Sequence, residues 1–462
     1  MTDTNPPQKP LARSFIEGEV ALGFWSFVKK GAGALDSFLI LRVFSLYQFG
    51  AYHLLLSLYA IASDFFHDVF SEVVGNDLAR LAGAGEEARA KRLFSEYAVF
   101  RLAMAVIPWA AFFFGAPMLA ERLGYGGEIG ATLQIMAFLF IADALLALST
   151  LILKLRLQFK ILAPRATIQK LVQLAILAWF FFFSDLGIRE AFWAQLGGAA
   201  GAFLMILPAA VRSSGPWRDM AAAEERMFWP AVRSYGKWAV PQSFLADFTG
   251  KVRPWLIRLF LNTEAVGIFG VAYTFLSALK DLLPIRTAGS LVPRRIADRA
   301  ALDRFYRYGT KYYVWMALAI SLGSVAAVPA AIILLFPQFR PAIPIFWMLA
   351  ASIPLFGFVK PMTFLLVAFR RQKFLFLQSV FQNFLSFALL LIFLPTIGVA
   401  GLAAAEVLVA AVNAGVRYRY VVNSRISNRL PFRSFLALTR EDRANFASFF
   451  ADLRAALSLR GG

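Results

Sequence analysis

Apolar runs of about 20 residues, such as "MALAISLGSVAAVPAAIILLF" (316–336), recur along the whole chain, and that is the length at which an α-helix crosses a hydrocarbon core. The runs are continuous. A membrane β-strand would alternate apolar and polar residues, so a barrel is excluded and an all-α, polytopic helical membrane protein remains. Composition agrees: the chain is 59% hydrophobic and 16% charged, against about 25% charged in soluble domains. With no cysteine there is no disulfide framework, thiolate zinc site or thiol nucleophile. His53 and His67 are the only histidines, too few for a His-based metal centre. No Walker A sequence and no catalytic constellation is present, so neither enzymatic activity nor a cofactor is expected. A net charge of +19 would suggest nucleic acid in a soluble protein. Basic cytoplasmic loops account for it here, and no nucleic-acid partner is expected.

The pattern predicts about twelve spanning segments: 21–45, 50–75, 95–120, 131–153, 166–184, 190–211, 234–261, 265–292, 308–336, 342–369, 374–395 and 398–422. Every second connection is basic. Arg89, Lys91 and Arg92 follow the second segment, Lys154, Arg156 and Arg165 the fourth, and Arg212, Arg218 and Arg226 the sixth. Arg294, Arg295 and Arg304 follow the eighth, Arg370, Arg371 and Lys373 the tenth, and Arg417, Arg419 and Arg429 the twelfth. The alternate connections, such as "SLYQFG" and "LNTEAVG", are short and nearly free of bases. The basic set is therefore expected in the cytoplasm, with both termini, and the chain in the cytoplasmic (inner) membrane. Met1 to Gly18 is polar and lacks an apolar stretch with a cleavage site, so the first spanning helix should act as the insertion signal.

This gives an organisation of a cytoplasmic N-terminal segment (1–20), an N-lobe of six helices (21–211), a cytoplasmic linker (212–233), a C-lobe of six helices (234–422) and a cytoplasmic tail (423–462). In the tail, Phe446, Phe449, Phe450, Leu453 and Leu457 fall at helical spacing opposite arginines. That is an amphipathic helix suited to the inner leaflet.

The lobes are expected to be a repeat. A shift of 217 sets Gly50 on Gly267, Gly33 on Gly250, Tyr52 on Phe269 and Asp64 on Asp281 without a gap. Later, after a small change of shift, Gly187 lies on Gly398. An even number of segments per unit inserts both copies the same way round, a parallel repeat.

"KKGAGALDSFLILRVFSLYQFGAYHLLLSLYAI" (29–61) resembles the opening of the polysaccharide-biosynthesis flippases of O-antigen type. "LARLAGAGEEARAKRLFSEY" (78–97) is similar to their first cytoplasmic loop. That family belongs to the multidrug/oligosaccharidyl-lipid/polysaccharide exporter superfamily. The resemblance, over about residues 20–425, implies a MATE-like pair of six-helix lobes around a central cavity lined by the first two helices of each. It also implies a substrate made of a polyprenyl diphosphate carrying sugars.

Charge inside the spans is concentrated in those same helices. Lys29, Lys30, Asp36 and Arg42 lie in segment one, and Lys237, Asp247, Lys251, Arg253 and Arg258 in segment seven. Asp64, Asp68 and Glu72 form one stripe of segment two, and Lys280 and Asp281 lie in segment eight. Mid-bilayer charge normally faces a cavity or a partner. Lys29, Lys30, Arg42, Lys251, Arg253 and Arg258 are the expected binders of a diphosphate. Asp36, Asp64, Asp68, Glu72, Asp247 and Asp281 are the expected gate or ion-coupling groups. Under the 217 shift Lys30 falls on Asp247 and Asp36 on Arg253, so each position keeps a charge of reversed sign, as a cross-repeat gate would require. Pairing within one repeat is the simpler alternative. The expected function is a flippase moving a polyprenyl-diphosphate-linked oligosaccharide by alternating access of a basic cavity, among membrane lipids and beside polysaccharide polymerase machinery. A drug or toxin exporter would favour an acidic cavity. A glycan polymerase or ligase would need a longer outward loop.

Overall fold

The computed structural model describes residues 11–64, 69–233, 248–283, 305–424 and 439, without the side chains of residues 11–24, 69, 72, 73 and 305. Asp68, Lys237, Asp247 and the predicted amphipathic helix of the tail lie outside the described residues, as does the side chain of Glu72.

Among the described residues the regular structure is helical throughout. In chain order the helices are α1 (Leu11–Val43), α2 (Leu46–Ser63), α3 (Val69–Gly83), α4 (Glu87–Arg122), α5 (Gly127–Leu155), α6 (Phe159–Leu162), α7 (Arg165–Phe183) and α8 (Ile188–Ser213). They continue with α9 (Phe228–Ala231), α10 (Phe248–Phe260), α11 (Thr263–Lys280), α12 (Thr310–Leu335), α13 (Ala342–Ala350), α14 (Ser352–Ala368), α15 (Gln372–Ile397) and α16 (Val399–Asn423). Eight stretches among the described residues are long and apolar enough to cross a membrane. They coincide with the third to sixth and ninth to twelfth predicted segments. The remaining four predicted segments, one, two, seven and eight, are those that carry the charge.

Local chemistry sets several boundaries. Ser45 accepts from the Gln48 amide (3.2 Å) while the Gln48 side chain accepts from the Ser45 amide (2.9 Å), a reciprocal cap that starts α2. Asn262, which stands on Ser45 under the 217 shift, caps α11 by accepting from the Ala265 amide (2.7 Å). Gly398, with φ 70°, ends α15 and opens α16 in a conformation that suits glycine. Helix α4 starts at Glu87, eight residues before the predicted span. The apolar window sees only the lipid-facing part. The first turns are held by an Arg92–Glu96 pair (2.7 Å) and by Arg156, which grips Glu87 at 2.7 and 3.1 Å.

The chain packs as two compact units. Met1–Gly270 with Leu335–Phe339 form the first, and Val271–Leu334 with Arg340–Gly462 the second. In the first, α5 is the central helix, packed on α4 and α8, with α7 against α8 and α1 against α7. Its core-facing side chains, among them Leu133, Met136, Phe140 and Leu153, are fully buried. The linker after α8 is tied down as well. Trp217 donates to Glu87 (2.6 Å) and lies under the Arg156 guanidinium, while Glu96 accepts from the amides of Met227 and Phe228. In the second unit α13 and α14 pack on α16, and α15 flanks α16. Its core is built by Tyr306, Phe358, Met362, Leu366 and Val421.

Candidate functional site

Helix α10 carries three cations in eight residues: Lys251, Arg253 and Arg258. It packs against α2. Lys251 is ion-paired with Asp64 at the end of α2, both side chains 21% exposed. Two turns earlier on α2, Ser57 donates to the Lys251 carbonyl. Asp64 and Ser57 are seven residues apart and so share a helix face. Pro254 lacks an amide to bond the carbonyl four residues back, which loosens the ladder of α10 beside this contact.

Arg253 is buried, its guanidinium 5.4 Å from the Phe269 ring centroid. Arg258 donates to the Leu123 carbonyl and lies 4.4 Å from the Tyr125 ring. Its Nη1 is buried with no hydrogen-bond partner among the described residues. Tyr125 in turn shares a 3.0 Å hydrogen bond with Thr263. Arg42, at the equivalent end of α1, donates to the Leu335 carbonyl at 2.8 Å, and Gln338 donates to the Leu41 carbonyl at 2.8 Å. Arg42 and Arg258 thus do the same work: each reaches from the C-terminal end of its helix to a carbonyl at the end of another long helix.

The Gly50–Gly267 pair accounts for the close approach here. A methyl on Gly50 would lie 2.0 Å from the Thr263 carbonyl oxygen, and one on Gly267 would lie 2.2 Å from the Leu46 carbonyl oxygen. Thr263 stands on Leu46 under the shift that puts Gly267 on Gly50. The contact is reciprocal, each segment lending a carbonyl to the other's glycine, as in a self-complementary interface.

Asp36 has a different partner from the one a cross-repeat gate would give it. It is buried and bonded to Lys170 of α7 at 2.6 Å, with its other oxygen unmatched among the described residues. Lys170 also donates to Gln173 at 3.3 Å. The room left by Gly33 is taken by the Lys170 chain, whose Cε lies 3.7 Å from where a methyl would stand, whereas Gly31 faces open space. Lys29 and Lys30 are exposed on α1, and Asp281, exposed just beyond α11, belongs to the second unit. Of the predicted site residues, then, the structure joins Asp64 with Lys251. It sends Arg42 and Arg258 to helix-end carbonyls and Asp36 to Lys170.

Three hydrogen-bonded cations, one buried and two half-buried, were not singled out from the sequence as site groups. Lys170 sits near the start of its span and reads as a loop-proximal base. Arg101, almost fully buried in α4, donates to Ser71 (2.7 Å) and Tyr97 (2.9 Å). Arg417 reads as a cytoplasmic loop charge, yet it donates into the second unit, to Gln378 (2.9 Å) and Thr363. In each case the missing signal was a polar residue at matching depth on another segment, which one-dimensional hydropathy does not register.

The described structure thus combines long apolar helices with paired and buried charge. Residues 85–293 match the family model described as polysaccharide biosynthesis protein. Among solved structures, the lipid II flippase MurJ in an inward closed conformation superposes with a TM-score of 0.70 at 13% identity, over 90% of this chain and 89% of that one. An inward-facing multidrug resistance MATE family transporter of the MOP superfamily gives 0.70 at 14% identity, over 86% and 94%. No curated protein sequence matches. The chain shares the fold of these two structures, and its residues 85–293 are similar to the polysaccharide biosynthesis family.

Proposed function

We propose that the chain is a flippase carrying a polyprenyl-diphosphate-linked oligosaccharide from the inner to the outer leaflet of the cytoplasmic membrane. Its cargo serves the synthesis of a surface glycan of the O-antigen, lipopolysaccharide or exopolysaccharide kind, and polysaccharide polymerase machinery receives the product. The observation that carries this reading is the α10 cluster. A 13-residue helix bearing three cations lies within the family-matched segment, and one of its guanidinium nitrogens is buried without a partner among the described residues. A buried donor of that kind calls for an acceptor, and a phosphate oxygen supplies one with charge. The sugar-diphosphate head is too polar to cross lipid unaided, while the prenyl tail is at home there. Alternating access with the head held by Lys251, Arg253 and Arg258 meets both needs.

Arg253→Ala should abolish surface glycan display with protein level unchanged, and Arg253→Lys should restore only part of it, because an ammonium lacks the planar two-point fork. Full display in Arg253→Ala removes this residue from the site. Reporter fusions after Arg92, Arg165, Arg304 and Arg429 should all read cytoplasmic, as the basic connections require. A periplasmic reading at any of them breaks the twelve-segment arrangement.

A further inference from the structure

The second unit holds a polarised chain of side-chain amides that ends in a cleft. Arg417 of α16 donates through Nε to Gln378 Oε1 at 2.9 Å and through Nη1 to Thr363 of α14. Gln378 of α15 donates through Nε2 to Asn413 Oδ1, and Asn413 donates through Nδ2 to Gln382 Oε1 at 2.9 Å. The direction is forced. A guanidinium has donors only, so Gln378 must offer its oxygen to Arg417 and its NH2 to Asn413. Asn413 must then offer its oxygen to Gln378 and its NH2 to Gln382. Every link donates away from the charge, and the last free group is the Gln382 NH2.

That NH2 belongs to a residue lining a small cleft between α15 and α16. Gln378, Gln382 and Asn413 supply its polar side, and Phe381, Leu385 and Val412 are among its apolar walls. Charge behind the cleft is positive. Lys360, one turn before Thr363 on α14, has its ammonium 4.5 Å from the Phe356 ring, and its charge is close enough to interact with that of Arg417. Among the described residues neither Arg417 nor Lys360 makes an ion pair, although the Asp281 charge also reaches Lys360. Glu406 lies seven residues before Asn413, about 10 Å along the helix. In a low-dielectric interior a chain of bonds aligned with a cation strengthens link by link and delivers part of that charge to its end.

We propose that this cleft binds a phosphate-bearing lipid. The Gln382 amide takes a phosphate oxygen under the field of Arg417 and Lys360, and the hydrocarbon lies along Phe381, Leu385 and Val412. The site lies in the second unit and does not depend on the α10 cluster. Neutral lipid lacks the charge, and free phosphate leaves the apolar walls unused.

The test is native mass spectrometry of the full-length protein, with polyprenyl phosphate, phosphatidylglycerol, neutral polyprenol and inorganic phosphate as separate probes. A retained adduct is expected with a phosphate-bearing lipid and not with polyprenol or inorganic phosphate. Preference for polyprenyl phosphate assigns the cleft to the transported class of lipid, and equal retention of phosphatidylglycerol assigns it to bilayer phospholipid. Gln382→Leu removes the terminal donor and Val412→Phe fills the cleft without touching the amide chain. Each should weaken the adduct about tenfold or more, which is roughly 1.4 kcal/mol, and Val412→Phe should keep the wild-type melting transition. Arg253→Ala should keep the adduct, so failure here and failure of the flippase reading are told apart. No lipid adduct, equal retention of polyprenol, or unchanged adducts in folded Gln382→Leu and Val412→Phe would each overturn the proposal.

Discussion

Gly50→Ala is expected to abolish transport and to lower the melting temperature of the purified protein by several degrees. The added methyl would stand 2.0 Å from the Thr263 carbonyl oxygen, with the Gly267 amide nitrogen at 3.0 Å. Both are backbone atoms in or beside a capped helix start, so neither can swing aside as a side-chain tip would. Overpacking of this kind costs about 1–3 kcal/mol, and more where backbone must move. Gly267→Ala should behave alike, because its methyl would meet the Leu46 carbonyl oxygen at 2.2 Å. Gly31→Ala is the control. It faces open space within the same charged stretch, and alanine favours a helix interior over glycine by about 1 kcal/mol. Equal tolerance of alanine at 31, 50 and 267 would mean that the crossing is not close-packed in the working protein.

Lys251→Ala is expected to have the second large effect, for two separable reasons. Removing the ammonium leaves Asp64 charged and unmatched in a largely enclosed place. Breaking one member of a buried pair costs about 3–5 kcal/mol, and the residual exposure of this pair puts it toward the lower end. Stability and function then separate in the double variant Lys251→Met with Asp64→Asn. An apolar chain beside a neutral amide should return the melting temperature close to that of the wild type, since replacing both members of such a pair is often neutral. Transport should stay lost, because the cation proposed to meet the diphosphate is gone. Recovery of transport along with stability would make Lys251 a structural residue only.

Much of the helix order was readable before any coordinates, because eight spans are nearly free of charge and announce themselves by length. The charged segments were harder. Segment two reads as one span from 50 to 75, of which the structure describes α2 (Leu46–Ser63) and the start of α3 (Val69–Gly83). The tenth segment reads as a single span, while the structure divides it at Ala351 into α13 and α14. The sequence signal for that break is Pro354, which has no amide to donate to the Ala350 carbonyl four residues back.

The repeat was legible through small residues. Ser45 and Asn262 both cap, and Gly50 and Gly267 cross each other, at the spacing that alignment of the two halves supplies. What alignment could not supply was the partner of each charge. Asp36 and Arg253 occupy equivalent positions, and Arg253 lies over the ring of Phe269. From there they diverge, because Lys170 has no basic counterpart in the sequence-level comparison. The Arg417 chain was invisible for the same reason: Gln378, Gln382 and Asn413 are neutral and count as ordinary polar residues in an apolar window.

The flippase reading rests on what crosses the bilayer, and reconstitution answers that directly. Purified protein in liposomes is given a fluorescent polyprenyl-diphosphate sugar in the inner leaflet, and an outside reagent reports its arrival in the outer one. Protein-dependent arrival that is lost in Arg253→Ala is the expected result. Failure to move any such lipid, together with export of cationic dyes from the same liposomes, would contradict it and make the chain a drug exporter instead.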